Sequence, residues 1–179
     1  DYYYGKGSTY PDVNGGVGIL FEQGSSRGHL QSSENGPVSF AFTIRNQFVT
    51  SLSTIAGVYA NRKALLEHQK NFFSSALSLA GRDQTKAIVF GGIKDKARTW
   101  HLADLIQQHD IEVLPLDETI NSGGNTYSPE NSFVVSLKQR QYRLIKAMFE
   151  KRTTFQDSLF YDVSTWTLPL AFNVPYAEL

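Results

Sequence analysis

A chain of 179 residues carries 17 basic and 17 acidic side chains, is 41% hydrophobic, and shows no basic stripe; nucleic acid is not an expected partner, and there is enough apolar material for a real core. The absence of cysteine excludes disulfides, thiolate metal ligands and a cysteine nucleophile. No apolar run approaches the roughly 20 residues of a membrane helix, and the only histidines are His29, His68, His101 and His109.

The chain opens on Asp1-Tyr2-Tyr3-Tyr4, with neither a starting Met nor a signal peptide, as expected of a piece cut from a longer protein. Residues 1–16 are rich in Tyr, Gly, Ser, Pro and Asn, which predicts an ordered loop. Residues 17–22 (VGILFE) read as a buried strand ending in Glu22. A polar loop comes next over 23–37, closing on Asn35-Gly36-Pro37. Val38, Phe40 and Phe42 alternate, so 38–42 reads as a short strand. From Ile44 the apolar positions Phe48, Leu52, Ile55, Tyr59, Leu66, Phe73 and Leu77 recur at helical steps. Gly57 or Asn61-Arg62 would split or bend so long a helix, and Gly81 would end it.

A second unit is expected from about Arg82. Residues 87–91 (AIVFG) read as a buried strand, Gly92-Ile93-Lys94 as a turn, and Asp95 as the cap of a helix with Ala97, Trp100, Ala103 and Ile106 inward. Residues 111–116 (IEVLPL) and 133–137 (FVVSL) read as strands around a polar loop centred on Ser122-Gly123-Gly124-Asn125. Residues 139–151 read as a helix with Tyr142, Ile145 and Phe149 inward. The tail from Thr153, with Phe155, Phe160, Tyr161, Trp166 and Phe172, is aromatic enough to be packed. Strand, helix and strand joined by short turns predict an α/β fold: a parallel sheet with flanking helices.

Four patterns carry possible chemistry. Glu22 closes an apolar run, and in open parallel sheets function gathers at the carboxyl ends of strands. A carboxylate there is placed to act as a general base; the plain alternative is a solvated charge at a strand end. Gly24-Ser25-Ser26-Arg27-Gly28 matches the G-x-S-x-G elbow of serine hydrolases, but that elbow needs a helix directly after it, and residues 29–37 are too polar and too soon broken to form one. His109-Asp110-Ile111-Glu112 has the H-x-x-E spacing of a metal pair. Its two ends fall on different elements, and histidine is common at helix ends. Gly91-Gly92-Ile93-Lys94 lies where phosphates bind but lacks the P-loop and G-x-G-x-x-G patterns, and a tight strand-to-helix turn explains it.

The stretches DYYYGKGSTYPDVNGGVGILFEQGSSRGH and FAFTIRNQFVTSLSTIAGV resemble the C-terminal end of zinc carboxypeptidases of the carboxypeptidase A kind, and among them large bacterial members. The resemblance covers about the first 80 residues. It rests on the order of a Tyr-bearing loop, a strand ending in Phe21-Glu22, a loop holding Arg27, and a long last helix. It implies that Glu22 takes a proton from the attacking water and passes it to the leaving amine. The zinc of such enzymes activates that water. It further implies substrate contacts from Tyr4, with Tyr3 its neighbour, and from Arg27. The family's metal ligands and carboxylate-binding arginines lie upstream of the matching segment, so no metal is expected on this chain alone, which would then be inactive by itself. Residues 82–179 resemble the flavodoxin-like, class I glutamine amidotransferase-like domain appended to some such enzymes; the three strands evident there would leave that domain truncated at Leu179. The chain lacks the cysteine that amidotransferases use, which leaves a structural or docking role.

The reading is therefore a carboxypeptidase C-terminal segment over 1–81 and a flavodoxin-like unit over 82–179. The parent would be a zinc metallocarboxypeptidase acting on peptides, secreted or periplasmic by family analogy. The upstream peptidase segment of the same polypeptide would be the partner of this chain. A serine hydrolase using Ser26 and a non-catalytic α/β interaction module are the alternatives.

Overall fold

The computed structural model describes residues 4–92, 95–151 and 167–179. Tyr3, Ile93, Lys94, Phe155, Phe160, Tyr161 and Trp166 lie outside the described residues. The chain divides into two compact units, one of Asp1–Gly18 with Lys70–Leu179 and one of Ile19–Gln69. The dividing points fall between residues 18 and 19 and between 69 and 70.

The larger unit is built on a four-stranded sheet in the order β4-β7-β3-β8, with β3 Ala87–Gly91, β4 Leu114–Pro115, β7 Ser132–Ser136 and β8 Tyr176–Glu178. Every pairing in it is antiparallel: β3 with β7 (Val89 opposite Val134), β3 with β8 (Val89 opposite Ala177), and β4 with β7 (Leu114 opposite Val134). The fold is mixed helix and sheet, as expected, but the parallel, flavodoxin-like sheet is not formed. The local signal is correct for strand direction, since β3 and β4 run the same way. The parallel reading fails because β7 lies between them, antiparallel to both.

Alternation decides what each face of β3 meets. Ile88 and Phe90 face one core, which takes in Leu102, Ala103 and Ile106 of α2 (Lys96–Gln107) and Leu144, Ile145, Met148 and Phe149 of α3 (Tyr142–Phe149). Val89 faces a smaller core with Leu116, Tyr127 and Ala177. That second face is covered by the hairpin of β5 (Ile120–Ser122) and β6 (Asn125–Tyr127). Between them Gly123 and Gly124 have φ of 58° and 77°, the left-handed pair a tight hairpin turn demands. The hairpin sits inside the stretch expected to be a polar loop. Asp95 caps α2 as expected, accepting a hydrogen bond from the Arg98 amide at 3.0 Å. The buried stripe is Thr99, Leu102, Ala103 and Ile106, while Ala97 and Trp100 are exposed. A short helix α4 (Leu168–Ala171) leads into β8.

The smaller unit holds a hairpin of β1 (Leu30–Ser33) and β2 (Gly36–Ser39) and the first part of α1 (Phe40–Arg82). Helix α1 runs 43 residues without a break. Neither Gly57 nor Asn61 interrupts it, and the Asn61 side-chain amide donates back to the Gly57 carbonyl at 2.9 Å. Phe40 and Phe42, read as strand residues, belong to the helix. Residues 17–22 form no strand. A strand exists by pairing its backbone with a neighbour, and none of the described strands pairs with this run.

Two contacts of the larger unit yield tests. At Gly91, φ is 143° and an added Cβ would lie 2.3 Å from the Asn131 carbonyl oxygen and 2.6 Å from Ser132 Cα. Both are backbone atoms of the neighbouring strand and its approach, so they cannot swing aside. Gly91→Ala should destabilise the unit by about 3 kcal/mol or more, read from urea unfolding; a loss within error would mean this strand end repacks freely.

Asp83 joins the end of α1 to α3. Its Oδ2 accepts from Tyr142 Oη at 2.7 Å and faces Lys146 Nζ at 3.2 Å, and its Oδ1 accepts from the Thr85 amide at 3.0 Å. The Tyr142 hydrogen bond chiefly, helped by Lys146 and Thr85 and opposed by partial burial, holds the carboxyl below its ordinary range. The folded-state pKa is thus below the unfolded one. The stabilisation is fully present above the unfolded value and fades as pH falls through the folded one. Asp83→Asn should cost about 1–2 kcal/mol at neutral pH and flatten the acid limb of a stability–pH profile. An unchanged acid limb would remove Asp83 from that account.

Candidate functional site

The expected site residues fall in both units. Glu22 and Arg27 belong to the smaller one, on a stretch without regular structure, and both side chains are exposed. The stretch is held to the polar side of α1. Gln23 Nε2 donates to Thr50 Oγ1 at 2.8 Å, and Thr43 Oγ1 approaches the Gly24 carbonyl at 3.4 Å. Farther on, the Phe40 amide donates to the His29 carbonyl at 3.0 Å, which closes the hairpin onto the helix start. Nothing ties Glu22 to Arg27: neither makes an ion pair among the described residues, and the Arg27 amide instead donates to Gln31 Oε1 at 2.8 Å.

Apolar side chains flank this stretch in the open. Val17 on the larger unit, and Ile19, Leu20 and Phe21 on the smaller, are 45–59% exposed. On α1, Phe40, Ile44, Phe48, Leu52, Ile55, Val58, Tyr59 and Leu66 are 49–72% exposed. At 100° per residue these eight fall on one side of the helix, while Phe42 and Val49, each also about half exposed, lie off it. The polar side, bearing Thr43 and Thr50, is the one that the 23–24 stretch covers. The helical period expected from sequence is thus present, but the stripe it marks faces solvent. The smaller unit buries only two side chains, Ser26 and Thr43, and neither is apolar.

Tyr4 lies in the larger unit, 8% exposed, within the core that holds Ile88 and Phe90. Its ring is packed rather than presented. Ser26 is buried, and its hydroxyl donates to the Gly28 carbonyl at 2.8 Å within its own turn. The elbow geometry is not formed: among the described residues no strand precedes Ser26, and the next element is β1, not a helix. His109 stands in the turn after α2, with Nδ1 2.7 Å from Tyr10 Oη, while Glu112 is exposed. Gly91-Gly92 form a strand end, where the Gly91 amide donates to the Pro175 carbonyl at 3.0 Å. His101 is exposed against the edge of Trp100.

Among the described residues no group of three His, Asp or Glu side chains is placed to hold a metal ion. With His109 engaged by Tyr10 and the other histidines on separate elements, these residues do not fit a catalytic zinc, which takes three protein ligands and keeps one open position. Among the same residues no helix is long and apolar enough to cross a membrane. No protein family, curated protein or solved structure matches the chain.

Burial holds the His109 imidazole below the ordinary histidine range, against a smaller opposing pull from Asp110. Its proton affinity is therefore higher unfolded than folded, and its contribution to stability is present above the unfolded pKa and lost as pH falls. In an NMR titration the His109 ring should titrate below the free-histidine value near 6.5. A midpoint at or above that value would mean the ring is not buried against Tyr10.

Proposed function

We propose that the segment 19–27 is the base-bearing part of a zinc carboxypeptidase-like hydrolase, and that residues outside this chain hold the metal. The observation that carries the reading is the run Ile19-Leu20-Phe21-Glu22, with its large apolar side chains uncovered immediately before a carboxylate. Apolar side chains standing together in water mark a surface built for burial. Covered by the remainder of an enzyme, this run would set Glu22 at the rim of a closed face. The stripe of α1 has the same character and would be buried in the same way.

Glu22 would accept a proton from the attacking water and deliver it to the leaving amine, a role that needs one exposed carboxylate within hydrogen-bond reach of that water. Arg27, also exposed, would contribute a charged contact to the substrate. Tyr4, packed in the core of the larger unit, is assigned no substrate contact in this reading. No residue of this chain is assigned to the metal.

A second reading, a non-catalytic docking element, is favoured by the solvent-facing stripe of α1. The two part company at Glu22. In a polypeptide that contains this segment together with a metal-ligand set, Glu22→Gln should lower turnover of C-terminal peptide bonds by about two to four orders of magnitude, with metal content unchanged. Turnover that survives the substitution would overturn the catalytic assignment and leave docking.

A further inference from the structure

We propose that Asn35 is a site of spontaneous modification, at which the side-chain amide converts to aspartate and isoaspartate while the chain remains folded. The sequence contains two Asn-Gly pairs, Asn14-Gly15 and Asn35-Gly36. Glycine after asparagine presents a backbone nitrogen with no side chain to obstruct it, so sequence alone ranks the two pairs equally. The structure separates them.

Asn14 is held at both ends of its amide. Its Nδ2 donates to the Tyr10 carbonyl at 3.0 Å, and its Oδ1 accepts from Gln141 Nε2 at 3.3 Å. Gly15 is crowded as well, since an added Cβ would stand 3.1 Å from the Phe72 ring. Asn35 sits at the tip of the β1–β2 hairpin, where Ser33 pairs with Gly36. Its side chain is exposed and makes no hydrogen bond among the described residues. Around Gly36, at φ 105°, there is nothing within 4 Å of an added Cβ. The carboxamide of Asn35 is unrestrained and that of Asn14 is not; the Gly36 amide, paired across the hairpin with Ser33, is released by fraying of this one exposed turn.

The reaction needs only water. The deprotonated Gly36 nitrogen attacks Asn35 Cγ, a nitrogen–Cγ bond forms, and the Cγ–Nδ2 bond breaks with release of ammonia. The resulting succinimide takes up one water at either carbonyl. One opening yields aspartate; the other yields isoaspartate, in which the main chain runs through the former side chain. Either adds a negative charge beside Glu34. Isoaspartate also lengthens the turn by one backbone atom, so the pairing of Ser33 with Gly36 is lost.

The test uses the unmodified 179-residue chain, incubated at 37 °C in mildly alkaline buffer. Peptide mapping with an isoaspartyl methyltransferase reads both asparagines in the same molecules, and a urea-unfolded sample sets the intrinsic rates. Folded, Asn35 should convert at least roughly tenfold faster than Asn14, because Asn35 needs only the hairpin tip to fray, whereas Asn14 needs its hydrogen bonds to Tyr10 and Gln141 and the packing on Phe72 to open. Unfolded, the two should convert at similar rates. Equal rates in the folded chain, or a faster Asn14, would overturn the proposal.

Discussion

Burial of β3 on both faces is the constraint on which the larger unit depends. Three consecutive side chains, Ile88, Val89 and Phe90, are each at most 1% exposed, and they point alternately to the two cores. Such a strand is stable only if something covers both sides of the sheet and something pairs with both of its edges. Helices α2 and α3 cover one side and the β5–β6 hairpin the other, while β7 and β8 take the edges. Aromatic contacts tie the arrangement together. Phe90 stacks on its cross-strand partner Phe133 at 5.9 Å and meets Phe149 of α3 at 5.9 Å, and Phe149 in turn meets Tyr176 of β8 at 5.9 Å. The C-terminal residues are thus structural members of this unit: the Leu179 carbonyl accepts from the Lys86 amide at 2.6 Å and the Leu179 amide donates to Ala87 at 2.9 Å.

The smaller unit has the opposite balance. Its backbone is well satisfied, with the hairpin ladder, the helix and the link from Phe40 to His29 each hydrogen-bonded. Its apolar side chains are not covered. Eight large hydrophobics on one side of α1 present on the order of 700 Å² (about half of 150–250 Å² for each aromatic ring, less for the aliphatics), more than a typical monomer shows in one patch. Local hydrogen bonding therefore accounts for the shape of this unit, whereas hydrophobic burial accounts for the shape of the other. This difference separates a reading of α1 as a core helix from a reading of it as an interface, and no property of the helix alone decides between them.

Legibility in the sequence divides along the same line. Strands β3 and β7, helix α2 with its Asp95 cap, and helix α3 are all readable, because their patterns answer to partners close by in the fold. The inward stripe expected of α2 is off by one residue, since Trp100 counts as apolar on composition and Thr99 does not. The i, i+3, i+4, i+7 set is 99, 102, 103 and 106; Thr99 fits because its hydroxyl donates to the Asp95 carbonyl at 3.2 Å, leaving its methyl for the core. The two hairpins escape a sequence reading because their strands are only three or four residues long. The turn Glu34-Asn35 looks like loop composition, whereas Gly123-Gly124 is a pair that a tight reversal favours and is a legible signal obscured by the polar residues around it. The apolar run before Glu22 reads as a strand on composition, which records that a segment can be buried and not what buries it.

The order of the sheet shows where such inference stops. A strand, a helix and a strand joined by short turns do fix direction: β3 and β4 run the same way with α2 between them. Adjacency is a separate property. It is settled by β7, which enters some 40 residues after β3 and aligns Val134 opposite both Val89 and Leu114. Val134 therefore has a cross-strand neighbour on each side, and β4 is reduced to two residues at the sheet edge. Proline at position 115 suits that place, since an edge strand can dispense with one amide donor. Prolines within short strands thus mark edges, and an edge strand in a supposed crossover unit is a sign that another strand has come between.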